Sequence, residues 1–316
     1  MKNFSGYKKG VNLGGWLSQC DHTKERYDNF IRREDIEKIS SWGADHVRLP
    51  IDYELLETEE GIPSDSGFSY IDKALEWCRE FGLNIVIDLH KTAGYSFDKG
   101  EKETGFFEND GLQERFYKLW ERIAARYGNK GDSVCFELLN EVTDKSFCEA
   151  WNRIAKKCIE RIRKIAPDTV ILIGGYWNNS PAAVKDLDPP YDDRVVYNCH
   201  CYDPLEFTHQ GAQWVDDMPP DFRKRYSECG LDTEYFLNCF REASGIAAKN
   251  GTVLYCGEYG VIENAVPEDI IEWYKAIHEA FEQLGICRAT WSYKEMDFGL
   301  SDERLNGCID ELIKYL

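Results

Sequence analysis

Two glutamates stand at the ends of apolar stretches with matching surroundings. Phe136-Glu137-Leu138-Leu139-Asn140-Glu141 reads as a buried β-strand ending in a polar pair. Leu254-Tyr255-Cys256-Gly257-Glu258-Tyr259-Gly260 has the same form, an apolar strand with a carboxylic acid at its tip. Two carboxyl groups delivered by separate strand ends can cleave a glycosidic bond, one protonating the leaving oxygen while the other attacks the sugar or activates water. The two jobs need opposite ionisation. The acid must be protonated at rest, through burial or a neighbouring carboxylate; the nucleophile must be ionised and needs a cation and hydrogen-bond donors. Arg48 is the cation available at a strand tip.

The elements that must bring these groups together alternate along the whole chain. Short apolar strands are expected at about 9–13, 45–49, 85–89, 134–139, 169–173, 194–197, 252–256 and 286–291. Amphipathic helices are expected at about 33–42, 69–81, 112–127, 147–166, 233–249, 267–284 and 302–316, with a short helix after Ser180-Pro181, and several are stopped by Gly43, Gly82, Gly128 or Pro167. The strand near 45–49 is read as ended by Pro50, and Ile165 is read as inward on its helix. Eight strand–helix units, with strands that show little polar alternation, predict an α/β fold of the (β/α)8 TIM-barrel type. A doubly wound open sheet is the runner-up, weakened because no G-x-G-x-x-G follows the first strand. Residues from about 204 to 232, with Trp214 and Pro219-Pro220, break the rhythm and read as a short insertion after strand six flanking the cleft. Without a linker, repeat or low-complexity run, residues 1–316 read as a single catalytic domain.

Composition narrows the partners. The formal net charge of −19 argues against nucleic acid and anionic membrane surfaces, and a neutral or cationic ligand fits better. No apolar run approaches membrane-spanning length, and residues 1–7 lack a signal core. Twelve scattered cysteines, several on expected core elements (Cys78, Cys135, Cys158, Cys256), read as reduced thiols. The expectation is a cytoplasmic protein, or a secreted one if a signal was removed, acting as a monomer.

In a barrel the chemistry sits at the C-terminal ends of the strands. The polar and aromatic residues there are Asn12, Arg48, His90, Asn140 with Glu141, His200 with Tyr202, Glu258 and Trp291. With these in place the chain resembles glycoside hydrolase family 5, the cellulase-type retaining glycosidases. The matching stretches are Gly10-Val11-Asn12-Leu13-Gly14-Gly15-Trp16, His46-Val47-Arg48-Leu49-Pro50, Asp88-Leu89-His90, Glu137-Leu138-Leu139-Asn140-Glu141, His200-Cys201-Tyr202, Cys256-Gly257-Glu258-Tyr259-Gly260 and Trp291-Ser292-Tyr293-Lys294. The insertion beginning Phe207-Thr208-His209-Gln210 is most similar to the small intracellular clostridial-type endoglucanases. The resemblance implies Glu141 as acid/base, Glu258 as nucleophile and Asn140 as a ligand of the sugar 2-hydroxyl. It places Arg48 and Tyr202 beside Glu258, His90 and His200 along the site, and Trp291 as the floor. The sequence departs from the family pattern at Val142, Lys91 and Ala93, which touches the glycone side and leaves the exact sugar open.

Further substrate contacts are expected from Asn12, Trp16, Trp177, Trp214 and Lys294, the tryptophans by stacking on sugar faces. His209 fits a site-edge role as readily as a structural one. Glu137 and Asp88 lie mid-strand and read as buried structural acids. His22, His46 and His278 read as surface or packed residues. Trp42, Trp77, Trp120, Trp151 and Trp273 fall on helices and read as core or groove fillers. Cys199-His200-Cys201 points its side chains to opposite faces and has no second C-x-x-C, so zinc is not expected. The acidic runs at 57–60 and 216–217 read as solvated loops.

The expected activity is hydrolysis of β-1,4- or mixed-linkage β-1,3-1,4-glucans and cello-oligosaccharides by double displacement, in the manner of an endo-β-1,4-glucanase, with no cofactor or metal. The alternatives are an exo-β-1,3-glucanase or β-mannanase, and, in another class, a non-catalytic glycan-binding barrel. A Schiff-base lyase would need a buried lysine at a strand tip, and Lys91 and Lys294 are weaker candidates than the two acids.

Overall fold

The computed structural model describes residues 4–98 and 103–316. Part of the N-terminal stretch read for a signal, residues 1–3, therefore lies outside the described residues. Eight parallel strands close into a barrel in sequence order, with β8 pairing back onto β1. They are β1 (Lys9–Asn12), β2 (His46–Asp52), β3 (Asn84–Lys91), β4 (Val134–Glu137), β5 (Val170–Gly174), β6 (Val195–His200), β7 (Leu254–Glu258) and β8 (Cys287–Thr290). Helices Arg33–Ser41, Phe68–Glu80, Asp110–Tyr127, Cys148–Arg163, Thr233–Lys249 and Pro267–Leu284 cover the outside. A 3₁₀ segment, Pro181–Asp186, takes the helical position between β5 and β6.

Strand alternation explains why the barrel is apolar below and charged above. On β3, Ile85, Ile87 and Leu89 face the helices and join the main core, whereas Val86 turns inward. The inward face then climbs from Val86 to Asp88 to His90. On β4 it climbs from Cys135 to Glu137, and on β6 from Val196 to Asn198 to His200. The lower end is filled by Val86, Cys135, Val170, Leu172, Val196, Tyr255 and Ala289 and closed by Phe4 and Tyr7, whose rings stack 4.3 Å apart. Above that plug the inward positions carry mainly polar groups, among them Asn12, Arg48, Asp88, His90, Glu137, Asn198 and His200, which is where a barrel places its chemistry.

Several boundaries differ from the sequence reading. β2 runs through Pro50 to Asp52. Pro50 lies past the last β1–β2 pair, Asn12 with Arg48, so its missing N–H removes no rung within that pairing. Ile165 is exposed, because its helix ends at Arg163. The expected closing helix is broken into Glu303–Leu305, Ile309–Leu312 and Ile313–Tyr315, with Gly307 between the first two. Helix Lys24–Asn29, capped by Thr23, has no buried residue and hence no apolar period to read.

The segment after β6 contributes two short helices, Leu205–Thr208 and Tyr226–Cys229, before the long one begins. It is tied down by a two-pronged pair from Arg225 to Asp269, by Gln210 bonding both the N–H and the carbonyl of Lys224, and by Trp273 donating to the Asp203 carbonyl. None of the 12 cysteines is paired. Among the described residues no helix is long and apolar enough to cross a membrane.

Candidate active site

A cleft of about 830 Å³ opens at the C-terminal ends of the strands. Beneath it Arg48 is fully buried and uses its whole guanidinium. Nε and Nη2 make a two-pronged pair with Glu137, both at 2.7 Å. Nη1 donates to Asn12 Oδ1 at 3.0 Å and to Glu258 Oε1 at 2.6 Å. Nη2 also reaches Asn140 Oδ1 at 2.8 Å and lies 3.0 Å from Asp88 Oδ2. Planar, fixed donors suit this task, and a lysine could not replace them. Glu137 and Asp88 are therefore structural, as the sequence suggested, but their task is specific: they orient the cation that holds Glu258.

The two tip glutamates have different surroundings. Glu258 receives Arg48 on one oxygen and the Tyr202 hydroxyl, at 2.9 Å, on the other. Glu141 has no lysine or arginine in hydrogen-bond contact among the described residues. His200 Nδ1 lies 2.8 Å from its Oε1, and the Asn178 amide donates to its Oε2 at 2.8 Å. Burial pushes the Glu141 pKa up, and the Asn178 hydrogen bond only partly opposes this. His200 is driven down to about 4 by burial, so the ring is neutral. Its proton sits on Nδ1, facing Glu141, while Nε2 faces the Asn179 amide at 3.4 Å. The same Nδ1 is 3.7 Å from Glu258 Oε2, and oxygens of Glu141 and Glu258 lie within 4.8 Å of each other.

His90 donates from Nδ1 to Asp88 Oδ2 at 2.5 Å, and its ring lies parallel to Trp291, centroids 5.7 Å apart. Burial lowers the His90 pKa and raises that of Asp88 to about 7. Asn140 is fully buried just under the wall. Its Nδ2 is only loosely engaged, 3.5 Å from His90 Nε2. Trp291, Trp177 and Trp214 line the cleft, the latter two about half exposed. His209 lines it too and stands edge-on to Tyr202 and Trp214.

Three expected substrate contacts are corrected. Trp16 has no exposure; it stacks on Trp77 and donates to the Tyr27 carbonyl, outside the barrel wall. Asn12 is likewise buried, its amide spent on the carbonyls of Gly257, Ala289 and Thr290 and its oxygen on Arg48. Lys294 points away from the cleft, over the Phe30 ring and 3.8 Å from Asp35. Asp216 and Asp217 are exposed in a turn, as expected, with Asp216 on the cleft edge, whereas Glu57 of the other acidic run is buried and paired with Arg115.

Sequence reasoning missed Asn178, Asn179 and Tyr95. The Tyr95 hydroxyl donates to the Glu141 carbonyl and accepts from the Thr143 N–H, fixing the turn after β4. The available signal was Asn178-Asn179 after Trp177, since asparagine tolerates left-handed backbone. Ten non-glycine residues among those described have positive φ, and six of them line the cleft: Gln19, Glu141, Trp177, Asn178, Met296 and Asp297. Backbone held in this region is costly for most side chains and tends to cluster where function demands it.

Among the described residues two groups have the ligand types and spacing for a metal ion: Glu141–His200–Glu258 in the cleft and His22–Asp52–Glu54 outside it. Both are already internally paired, His200 with Glu141, His22 Nε2 with Asp52 at 3.3 Å, and Glu54 with Lys91 at 2.9 Å.

Comparison with known proteins agrees with this geometry. A family model described as "Cellulase (glycosyl hydrolase family 5)" matches residues 6–297. "Cellodextrinase A" of Ruminococcus flavefaciens is 54% identical over 283 residues, covering 90% of this chain and 84% of that protein. "Endoglucanase C" of Acetivibrio thermocellus is 36% identical, covering 98% of each. Among solved structures, Thermotoga maritima Cel5A in complex with cellobiose superposes with a TM-score of 0.81 at 24% identity, covering 99% of each chain, a likeness of fold.

Proposed function

The chain belongs to glycosyl hydrolase family 5, and from that premise we propose that it cleaves β-1,4-glucosidic bonds in cello-oligosaccharides and in β-1,4- or mixed-linkage glucans by double displacement. The observation that carries the mechanism is the spacing of the two carboxyl groups. Oxygens within 4.8 Å of each other favour the retaining arrangement, with carboxyls about 5–5.5 Å apart, over the inverting one, with carboxyls about 6.5–9.5 Å apart.

In the first step a Glu258 oxygen attacks the anomeric carbon while Glu141 gives its proton to the glycosidic oxygen. The bond to the leaving sugar breaks and a glycosyl–enzyme ester forms. In the second step Glu141, now ionised, takes a proton from water. The hydroxide attacks the same carbon and frees Glu258, so configuration is retained. The surroundings match these roles. Arg48 and Tyr202 bond both oxygens of Glu258 and orient the nucleophile, and burial favours protonated Glu141. The loosely held Asn140 Nδ2 is the donor for the sugar 2-hydroxyl, Trp291 is the floor, and Trp177 and Trp214 are platforms for neighbouring sugars. His90 and His209 hold Trp291, Tyr202 and Trp214 in place through ring contacts. Every group invoked comes from one chain, so one barrel supplies the whole proposed catalytic unit, with residues 204–232 forming one rim. The name of the 54% identical relative favours short cello-oligosaccharides as substrates.

Proton NMR of the products tests this. The β-anomer should appear first from a cello-oligosaccharide and mutarotate later; early α-anomer overturns the mechanism.

A further inference from the structure

The cleft wall holds six carboxyl groups, Asp98, Glu141, Asp203, Asp216, Glu258 and Asp297, and no lysine or arginine among the described residues. Arg48 lies below the wall and is committed to Glu137, Asp88 and Glu258. Cations near the rim have acidic partners of their own. Lys145 sits behind Trp177, 3.5 Å from Asp186; Arg26 pairs with Glu295 at 3.3 Å; Lys224 pairs with Glu206. The whole chain carries a formal net charge of −19. Clefts lined by charge of one sign focus their potential on the ligand path. Asp203 and Asp297 sit on the insertion side and on the loop after β8. Burial pushes the pKa values of both up.

We propose that the cleft sorts β-glucans by charge, taking neutral and amine-substituted chains and turning away carboxyl-substituted ones, with Asp203 and Asp297 as specificity-determining residues. A carboxylate on a bound sugar would lie in a half-open, low-dielectric groove facing several like charges, whereas an ammonium would meet acceptors. Neither effect requires contact with the reacting bond. The inference rests on the glucanase reading and deepens it by naming the substrate class.

The test uses three soluble celluloses of matched degree of substitution: hydroxyethyl (neutral), carboxymethyl (anionic) and aminoethyl (cationic). Initial rates are taken at about 10 mM and about 1 M sodium chloride, where the Debye length is about 30 and 3 Å. At low salt, kcat/KM for the neutral polymer should exceed that for the anionic one by on the order of tenfold, given the Coulomb energy of like charges a few ångströms apart near a protein surface. The cationic polymer should match or exceed the neutral one. High salt should draw the three together. Asp203→Asn/Asp297→Asn should narrow the neutral-to-anionic ratio at low salt, whatever its effect on absolute rate. A ratio that ignores salt means steric rejection and overturns the proposal, as does a folded double variant with an unchanged ratio. If the double variant does not fold, the salt dependence alone decides. Failure to hydrolyse the neutral polymer or cello-oligosaccharides sinks the glucanase reading. The charge ranking is then still read by calorimetric binding of the three polymers, and no salt-sensitive ranking there overturns the charge proposal separately.

Discussion

Removing the amide that holds Glu141 should move the upper limb of the pH profile to higher pH. Asn178 donates to Glu141 Oε2 at 2.8 Å, and its backbone is left-handed, with φ of 55°. Asn178→Gly deletes the amide and leaves the backbone relaxed, which Asn178→Ala would not. The donor favours the ionised carboxylate over the neutral acid. A hydrogen bond to a charged group is worth about 1.5–3 kcal/mol and one to a neutral group about 0.5–1.5, so the difference is about 1–1.5 kcal/mol. At 1.36 kcal/mol per pKa unit, the Glu141 pKa should rise by roughly one unit. Glycosylation needs protonated Glu141, and the basic limb of kcat/KM reports that group in the free enzyme. The limb should therefore shift up by about one unit, and the variant should keep relatively more activity on the alkaline side even if its plateau falls. The assay is kcat/KM on a neutral cello-oligosaccharide across pH, with circular dichroism confirming the fold at each end. A basic limb that moves down, or that stays fixed while the plateau falls, would refute the assignment of Glu141 as the acid or of Asn178 as its tuner.

Glu258→Ala should lower turnover by several orders of magnitude with melting unchanged within a few degrees; near-normal activity removes it as nucleophile. Glu141→Ala should lose most activity on cello-oligosaccharides but retain far more on aryl cellobiosides with good leaving groups, and azide should rescue the latter. Tyr202→Phe removes a charge-assisted bond worth about 1.5–3 kcal/mol, so kcat/KM should fall by roughly 10- to 150-fold with the fold intact; near-normal kcat/KM separates Tyr202 from the nucleophile. Trp16→Ala should cost about 3–5 kcal/mol of stability in denaturant unfolding, whereas Trp214→Ala should raise KM with little change in melting; the reverse pattern would restore Trp16 to the cleft.

Much of the fold was legible because a barrel strand is short, apolar and ended by a functional residue. Glu141, Glu258, His200 and Trp291 were found that way. The misreadings share one cause. Being near a strand tip does not say which way a side chain turns or how far up the barrel it sits. Asn12 faces inward but one level below the cleft, Trp16 turns outward onto Trp77, and Lys294 lies beyond the bend after β8. Glu137 was read as a structural acid, but its partner Arg48 lies 89 residues away, and no local pattern announces that pair. Pro50 misled because its missing N–H matters only if a neighbour needs it. Asn178 escaped because it lies in an aperiodic loop, and its role depends on where that loop meets β4.

The concentration of left-handed backbone around the cleft bears on how the molecule fails. Asparagine and aspartate bear this conformation cheaply, but Glu141, Trp177 and Met296 do not, and each is held there at roughly 1–3 kcal/mol by the surrounding structure. When heat loosens those surroundings, these loops gain most by relaxing, while the barrel strands have no comparable reason to move. Heating should therefore disarm the protein before it unfolds. The ability to cut glucan should vanish over a temperature range in which the far-ultraviolet spectrum is still native, recover on cooling, and survive to higher temperature when an oligosaccharide fills the cleft.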